Sequence, residues 1–187
     1  MKLSPRYEAA LVMATQLHAT QKRKGTSIPY VSHLLAVSSL VLEHGGDENQ
    51  AIAALLHDAV EDQGGLPTLE KIREHFGDAV AEIVDHCTDA YEEPKPEWRT
   101  RKEQYLAGIS DKPTDAALVS CADKLHNARA ILNDLRSLGD DLWGRFTGGK
   151  DGTLWYYQSL ADAFDSALGN SLSEELDRTV KEMKSLA

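Results

Sequence analysis

Apolar residues recur along this chain at the spacing of three and four positions that an amphipathic helix requires. Glycine and proline fall between the apolar stretches, where they separate one helical pattern from the next. No stretch alternates apolar and polar residues for long enough to form a sheet strand. The pattern therefore predicts an all-α fold.

Capping signals set the limits of the predicted helices. Ser4 and Pro5 suit the N-cap and first turn of the first helix. Asp47, with Gln50 three residues later, has the pattern of a capping box, and Ser171 with Glu174 has the same pattern. From these signals and the glycine stops, we predict helices over about 5–22, 32–43, 47–62, 68–75, 78–87, 98–110, 114–138, 140–146, 153–168 and 171–185.

The longest predicted non-helical stretch, residues 88–97, contains Pro94 and Pro96. It is short for a domain boundary and fits a loop over a site or on the surface better. No internal repeat stands out along the chain. We therefore expect one domain over residues 1–187, with a C-terminal helix over about 171–185.

Charge and composition restrict the classes of function. The chain has 187 residues, and its 20 Lys and Arg against 30 Asp and Glu give a net charge of −10. This charge disfavours binding to duplex nucleic acid or to a membrane surface, because both require clustered positive charge. A phosphorylated ligand would need a local basic cluster or a metal. Two cysteines and no apolar signal segment predict a cytoplasmic protein without a disulfide framework.

The sharpest candidate for a chemical site is the run over residues 55–62. Its four ionisable residues share one side of a helical wheel, and its apolar residues occupy the other. The ionisable residues are His57, Asp58, Glu61 and Asp62. Such a cluster is usually a solvated helix face. Here the continuous apolar stretch 51–56 predicts a helix buried nearly all round, where these groups would need a cation or one another.

Two other predicted helices offer further metal-type ligands. Asp123 and Asn127 are four residues apart and therefore lie on one face of a long helix. His33 enters a short apolar helix. Taken singly, Asp123 is better explained by pairing with Lys or His, and His33 by a core position. Together with His57 and Asp58, they form a set of two nitrogens and two oxygens, suited to Mn, Fe or Zn.

Three motifs that contain these residues occur in order along the chain. They are Arg23-Lys24-Gly25-Thr26 with Pro29-Tyr30 and His33, then His57-Asp58-Ala59-Val60-Glu61-Asp62, then Ala122-Asp123-Lys124-Leu125-His126-Asn127. The set resembles the HD superfamily of metal-dependent phosphohydrolases, which are all-helical. It is most similar to the hydrolase domain of bifunctional alarmone synthetase/hydrolases and their stand-alone small relatives, over roughly residues 5–165. Those proteins remove the 3′-pyrophosphate of (p)ppGpp with Mn²⁺.

The resemblance implies a role for each motif residue. The metal, Mn²⁺ or another divalent ion, would be held by His33, His57, Asp58 and Asp123. Glu61 and Asp62 would be the catalytic pair that activates and orients the attacking water. General chemistry agrees, because hydrolysis of a polyanion requires a Lewis acid and a carboxylate that takes a proton.

The resemblance also implies that Arg23, Lys24 and Asn127 bind the substrate. Basic side chains would hold the phosphate oxygens of a nucleotide. Taken without the resemblance, Arg23 and Lys24 fit a solvated helix end, where positive charge is favourable. Both interpretations stay open for this pair.

Two alternatives to an alarmone hydrolase stay open. One is an HD-type phosphatase of another nucleotide, such as a nucleoside monophosphate or the 2′-phosphate of NADPH. The other is a non-catalytic module that senses nucleotides. Glu61 and Asp62 favour an enzyme, because carboxylates unused on water would only repel a polyanion. The leading expectation is a (p)ppGpp 3′-pyrophosphohydrolase with a small nucleotide as its partner.

Overall fold

The computed structural model describes residues 2–88 and 96–187, and it confirms the all-α fold. Its α-helices are α1 (Pro5–Leu17), α2 (Val31–Glu43), α3 (Glu48–Leu56), α4 (Ala59–Asp62), α5 (Leu66–Phe76), α6 (Asp78–Cys87), α7 (Trp98–Gly108), α8 (Thr114–Leu138), α9 (Gly149–Leu168) and α10 (Ser171–Leu186). Two 3₁₀-helices, Ile109–Asp111 and Gly139–Arg145, complete this part of the chain. Most of the loop predicted over 88–97 lies outside the described residues. In the described ranges, no helix is both long and apolar enough to cross a bilayer.

Helix α8, with 25 residues, forms the centre of the bundle. It packs against α2, α3, α6, α9 and α10, and α2 also packs against α3. Residues 51–56 of α3 are completely buried, as their continuous apolar character predicts. The helices α2, α3 and α8 therefore meet one another in pairs. Their meeting point contains the residues that the sequence identifies as metal-type ligands.

The first helix ends at Leu17, although the sequence predicts an end near residue 22. The residues that follow form a hairpin-like loop instead. In this loop the Arg23 N–H donates to the Ile28 carbonyl oxygen, and the Tyr30 N–H donates to the Gln21 carbonyl oxygen, both at 2.9 Å. The loop thus satisfies backbone groups that a longer helix would have satisfied. The prediction that the first helix continues to about residue 22 is therefore wrong.

This loop settles the position of the basic pair Arg23 and Lys24. Gly25 follows the pair and has a φ of +73°, a left-handed conformation that glycine adopts without steric cost. The chain consequently turns immediately after the pair. Because Arg23 and Lys24 lie on a hairpin-like loop, the interpretation of the pair as a solvated helix end is wrong.

The helix predicted over 47–62 is interrupted at the motif residues. α3 begins with the predicted capping box, in which the Asp47 side chain accepts from the Gln50 N–H and the Gln50 side chain accepts from the Asp47 N–H. The helix ends immediately before His57, and α4 begins immediately after Asp58. The turn between α3 and α4, and not one continuous helix face, therefore sets the directions of these two side chains.

Three features near the end of the chain also differ from the prediction, although α10 begins at Ser171 as predicted. α9 begins at Gly149, four residues earlier than predicted. The capping box expected from Ser171 and Glu174 is displaced by one residue. The Asn170 side chain accepts from the Ser173 N–H, and Ser173 Oγ accepts from the Asn170 N–H. The stretch predicted as a helix over 140–146 is the 3₁₀-helix described above.

Gly46 connects α2 to α3 and is buried. A Cβ at this position would lie 2.8 Å from the Val41 carbonyl oxygen and would also overlap the Val41 side chain. We expect Gly46→Ala to destabilise the fold by about 1–3 kcal/mol, because the backbone of α2 would have to move. Urea unfolding monitored by circular dichroism measures this difference.

Gly108→Ala is the matched control. A Cβ there meets no atom within 4 Å, and the φ of Gly108 is −79°. We expect this variant to differ from the parent by less than about 0.5 kcal/mol. Equal unfolding free energies for the two variants would contradict the close approach of Gly46 to α2.

Candidate metal centre and adjoining cleft

Four side chains predicted as metal ligands converge where α2, α3 and α8 meet. Ligand atoms of His33, His57 and Asp58 lie within 4.8 Å of one another. The Nε2 atom of His57 is 3.0 Å from Asp58 Oδ2. Asp123 Oδ1, contributed by α8, lies 3.1 Å from His33 Nε2 and 3.7 Å from His57 Nε2. The fold therefore brings together two imidazoles and two carboxylates from three helical segments.

The two imidazoles present nitrogens that suit a shared cation. His57 Nδ1 lies 2.8 Å from the Ala54 carbonyl oxygen, which can only accept, so Nδ1 keeps its proton and Nε2 is the nitrogen that can bind a metal. The Nε2 atoms of His33 and His57 are buried and make no hydrogen bond to any described residue. Carboxylate oxygens nevertheless lie 3.0–3.7 Å away from them. This donor set fits a divalent metal.

The electrostatics of the cluster also favour a cation. Burial would raise the pKa of Asp58, but the adjacent His57 and His33 hold it well below its usual value. Burial likewise opposes ionisation of Asp123, yet Lys124 and the two imidazoles lower its pKa. Burial would lower the pKa of His57, and the two carboxylates raise it well above its usual value. A divalent cation can replace the imidazole proton as the balancing positive charge.

Hydrogen bonds from neighbouring side chains orient the two carboxylates. The Tyr30 hydroxyl donates to Asp58 Oδ2 at 2.6 Å. Burial and the Asp58 charge raise the pKa of Tyr30, so the hydroxyl keeps the proton that it donates. Lys124 Nζ donates to Asp123 Oδ2 at 2.7 Å, and Asn127 Nδ2 donates to Asp123 Oδ1 at 2.6 Å. Contacts of this kind hold metal ligands in a fixed orientation.

A third histidine lies behind His33. His126 Nδ1 is 2.7 Å from His33 Nδ1, and the two ring centroids are 4.8 Å apart. Burial and the nearby His33 and Arg23 lower the pKa of His126 to about 4. His126 is therefore neutral at pH 7 and has one nitrogen that can accept a hydrogen bond.

Glu61 and Asp62 lie at the end of α4, one turn after Asp58. The Asp62 N–H donates to the Asp58 carbonyl oxygen at 3.0 Å, which fixes the start of this short helix. Gln21 Nε2 donates to Asp62 Oδ2 at 2.7 Å. Asp62 is exposed to solvent, but partial desolvation of its carboxylate and the charges of Asp58 and Glu61 raise its pKa. A carboxylate with a raised pKa is better suited to accept a proton near neutral pH.

A cleft of about 860 Å³ adjoins the four converging side chains. Its wall includes Tyr30 and His126, which contact Asp58 and His33 respectively. Arg23, Lys24 and Asn127 also line it. Arg129 and Arg136 also line it, each paired with a glutamate of α10, and the described lining contains one carboxylate, Asp134. The cleft is thus a locally basic surface on a chain whose net charge is −10.

Arg23 and Asn127 connect this cleft to the cluster. Arg23 donates to Asn127 Oδ1 at 2.5 Å, and Asn127 in turn donates to Asp123. The Arg23 guanidinium also lies over the Tyr30 ring, 5.7 Å from its centroid. Lys24 is exposed on the cleft wall. The basic loop is therefore coupled to the proposed ligand Asp123 by two successive hydrogen bonds through Asn127.

The sequence predicted the converging residues and a substrate-binding role for Asn127, but no role for the other side chains that support them. Tyr30, Lys124 and His126 lie inside the motifs, each within three residues of a proposed ligand. Their place in the motifs could therefore have indicated a supporting role. Gln21 lies outside the quoted motifs, and its contact depends on the loop after α1. Arg129, on the cleft wall, was not predicted for the site.

A model of the protein family described as "HD domain" matches residues 10–154, which contain all three motifs. The chain belongs to the HD domain family. This confirms the family resemblance carried by the motifs. Membership implies a divalent metal, and the side chains at the meeting point of α2, α3 and α8 in this HD domain fit one.

Several relatives and solved structures are similar to this HD domain. A Xenopus tropicalis protein named guanosine-3′,5′-bis(diphosphate) 3′-pyrophosphohydrolase MESH1 is 37% identical over 144 residues, 73% of this chain and 75% of the relative. The probable GTP pyrophosphokinase of Mycobacterium leprae is 37% identical over 127 residues, 66% of this chain and 16% of the relative. A solved structure described as a metazoan ortholog of SpoT that hydrolyses ppGpp superimposes with a TM-score of 0.80 at 27% identity. The superposition covers 100% of this chain and 99% of the chain in the solved structure.

Metal binding should stabilise this HD domain in a way that depends on Asp58. We expect Mn²⁺ at about a hundredfold excess over its Kd to stabilise the parent by about 2–3 kcal/mol, because the ion binds the folded state. Asp58→Ala should lose most of this stabilisation. Thermal unfolding with and without Mn²⁺, together with metal analysis of protein purified without chelator, measures the effect.

Asp151→Ala provides the control, since Asp151 is an exposed carboxylate on α9. It should respond to Mn²⁺ as the parent does. The assignment of the metal centre fails if Asp58→Ala keeps the full metal-dependent shift and no divalent ion copurifies with the parent.

Proposed function

We propose that this chain is a metal-dependent phosphohydrolase that removes the 3′-pyrophosphate of (p)ppGpp. One observation carries the proposal: four metal-type side chains converge beside a cleft that presents Arg23 and Lys24. Relatives named as guanosine-3′,5′-bis(diphosphate) 3′-pyrophosphohydrolases support this substrate. The proposal treats residues 1–187 as a single hydrolase domain.

In this proposal His33, His57, Asp58 and Asp123 hold the metal, and the native ion is Mn²⁺. Two imidazole nitrogens and two carboxylate oxygens suit Mn²⁺ better than they suit a thiolate-seeking ion. When bound, the cation supplies Lewis acidity, which lowers the pKa of water and offsets phosphate charge. The free thiols of Cys87 and Cys121 fit a reducing, cytoplasmic location.

Glu61 and Asp62 act on the attacking water. Asp62 takes a proton from it, and the raised pKa of this carboxylate brings it closer to the pH at which the enzyme works. Gln21 keeps Asp62 in place by donating to Oδ2. Glu61, the preceding residue on α4, orients the water. Both carboxylates follow the proposed ligand Asp58 by about one helical turn, which keeps them near the reacting centre.

Arg23, Lys24 and Asn127 bind the substrate. Arg23 and Lys24 contact phosphate oxygens, since guanidinium and ammonium groups form strong charge-assisted hydrogen bonds with them. Asn127 holds Arg23 through the 2.5 Å hydrogen bond and supports the substrate beside it. The positive cleft wall allows an acidic protein to accept a polyanion without a positive net charge.

The reaction breaks one phosphorus–oxygen bond of the substrate. The water oxygen bonds to the phosphorus attached to the 3′-oxygen, and the bond between that phosphorus and the 3′-oxygen breaks. One proton of the water passes to Asp62, and the departing 3′-oxygen takes up a proton. The products are pyrophosphate and GDP from ppGpp, or pyrophosphate and GTP from pppGpp.

A nucleotide panel tests the substrate. The chain is incubated with Mn²⁺ and, separately, ppGpp, pppGpp, NADPH and nucleoside monophosphates, and the released phosphate species are identified. We expect pyrophosphate from ppGpp and pppGpp, with activity lost in a chelator and restored by Mn²⁺. Orthophosphate from NADPH or a monophosphate, without pyrophosphate from ppGpp, would support the phosphatase alternative. Tight nucleotide binding without cleavage would support the sensor.

A double variant, Glu61→Gln with Asp62→Asn, tests the catalytic pair. Turnover should fall by at least ~10²-fold, the scale expected when general-base catalysis is lost. Metal content should stay close to that of the parent, because these residues are not proposed ligands. Metal analysis and a single-substrate rate assay on the same preparation measure both quantities.

The matched control replaces two exposed carboxylates elsewhere, Glu8→Gln with Asp151→Asn. It should turn over at the parent rate. Turnover at the parent rate in the Glu61 and Asp62 double variant would show that other groups act on the water.

A further inference from the structure

The contact between His33 and His126 joins α2 to α8 on the side of His33 that faces away from the other proposed ligands. It is made by the two Nδ1 atoms, 2.7 Å apart. His33 is completely buried, whereas His126 is half-buried and forms part of the cleft wall. A nitrogen–nitrogen hydrogen bond requires a proton on one atom and a lone pair on the other. The direction of this hydrogen bond therefore fixes which nitrogen of His33 is protonated.

Two arrangements satisfy the contact. If His126 donates, His33 carries its proton on Nε2, and that proton would be directed towards Asp123. If His33 donates, its Nε2 has a free lone pair. Nε2 has no hydrogen-bond partner among the described residues, although carboxylate oxygens of Asp123 and Asp58 lie 3.1 and 3.5 Å away from it. Metal binding requires the second arrangement, because the cation takes the place of a proton between Nε2 and these carboxylates.

We propose that His126 is a positioning residue that accepts the Nδ1 proton of His33 and thereby directs the His33 Nε2 lone pair to the metal. This inference rests on the metal centre of the proposed function. His126 itself does not contact the cation or the substrate's reacting atoms in this role. It acts by selecting the tautomer and the ring orientation of His33.

The proposal distinguishes His33 from the second histidine of the centre. The Nδ1 proton of His57 is held by the Ala54 carbonyl oxygen, a backbone group that no side-chain substitution removes. The tautomer of His33 is instead set by the side chain at position 126. His33 should therefore be the ligand whose metal affinity is most sensitive to a change outside the ligand set.

Two substitutions at position 126 separate hydrogen bonding from packing. His126→Leu replaces the imidazole with an apolar side chain of moderate size and thereby removes the acceptor. His126→Asn retains an acceptor oxygen at the same position along the side chain as Nδ1. We expect His126→Leu to weaken Mn²⁺ binding by about 10-fold or more, the effect seen for supporting residues of metal sites. His126→Asn should bind Mn²⁺ within about threefold of the parent, since it restores the acceptor.

Calorimetric titration of the metal-free full chain with Mn²⁺ measures these affinities, and circular dichroism confirms folding of each variant. His75→Leu is the control, because His75 is exposed and its Nδ1 contacts only the Lys71 carbonyl within its own helix. His57→Ala tests the metal centre itself and should lose binding. If His57→Ala loses binding but His126→Leu binds as tightly as the parent, the role of His126 is refuted and the metal centre stands. If His57→Ala binds like the parent, the metal centre of the proposed function is wrong.

The tautomer can also be observed in the unaltered protein. Long-range ¹H–¹⁵N correlation spectra with Zn²⁺ as a diamagnetic probe report which imidazole nitrogens carry protons. We expect His33 to be protonated at Nδ1, with His126 protonated at Nε2 only. His126→Leu should remove the hydrogen-bonded Nδ1 proton signal of His33. A His33 protonated at Nε2, or a His126 protonated at Nδ1, would overturn the proposal without requiring any variant to fold.

Discussion

The structure depends on one electrostatic constraint: two carboxylates and two imidazoles lie together where three helices meet, with only Asp58 partly exposed. Burial alone would suppress ionisation of Asp58 and Asp123, yet their surroundings keep both ionised. Charges removed from water are stable only when they are balanced and hydrogen-bonded. The packing of α2, α3 and α8 is thus coupled to a positive charge at their junction, which a divalent cation supplies most compactly.

Side chains around the proposed ligands meet the hydrogen-bonding part of this constraint. Tyr30 supports Asp58, Lys124 supports Asp123, and a backbone carbonyl supports His57. These contacts come from the loop before α2, from α8 and from α3, so no single helix builds the centre. A site assembled in this way gains rigidity from the whole bundle, because each ligand is fixed by a different element.

The hairpin-like loop after α1 connects the buried centre to the cleft. It carries Arg23 and Gln21, which reach α8 and α4 respectively. Its early departure from α1 is what allows these contacts, because a helix continued to residue 22 would take this backbone into regular helical hydrogen bonds. The same loop therefore supplies positive charge to the cleft and a hydrogen bond to Asp62. In the proposed function, phosphate binding and water activation share this one segment.

The sequence by itself determined the helical class, the limits of α8 and the capping box of Asp47 with Gln50. Each of these depends on residues within one or two helical turns, so local pattern is sufficient to predict them. Motif order likewise identified the residues that converge in the centre, through the family resemblance that the comparisons confirm.

Tertiary structure decided the break between α3 and α4, the end of α1 at Leu17 and the partners of the proposed ligands. His33 meets His126 across 93 residues, and Arg23 meets Asn127 across 104. Such contacts exist only after the helices pack, and they outweigh the local preference for a continuous helix. A linear pattern therefore shows which residues can bind a metal, whereas packing determines which nitrogen, which oxygen and which neighbour each of them uses.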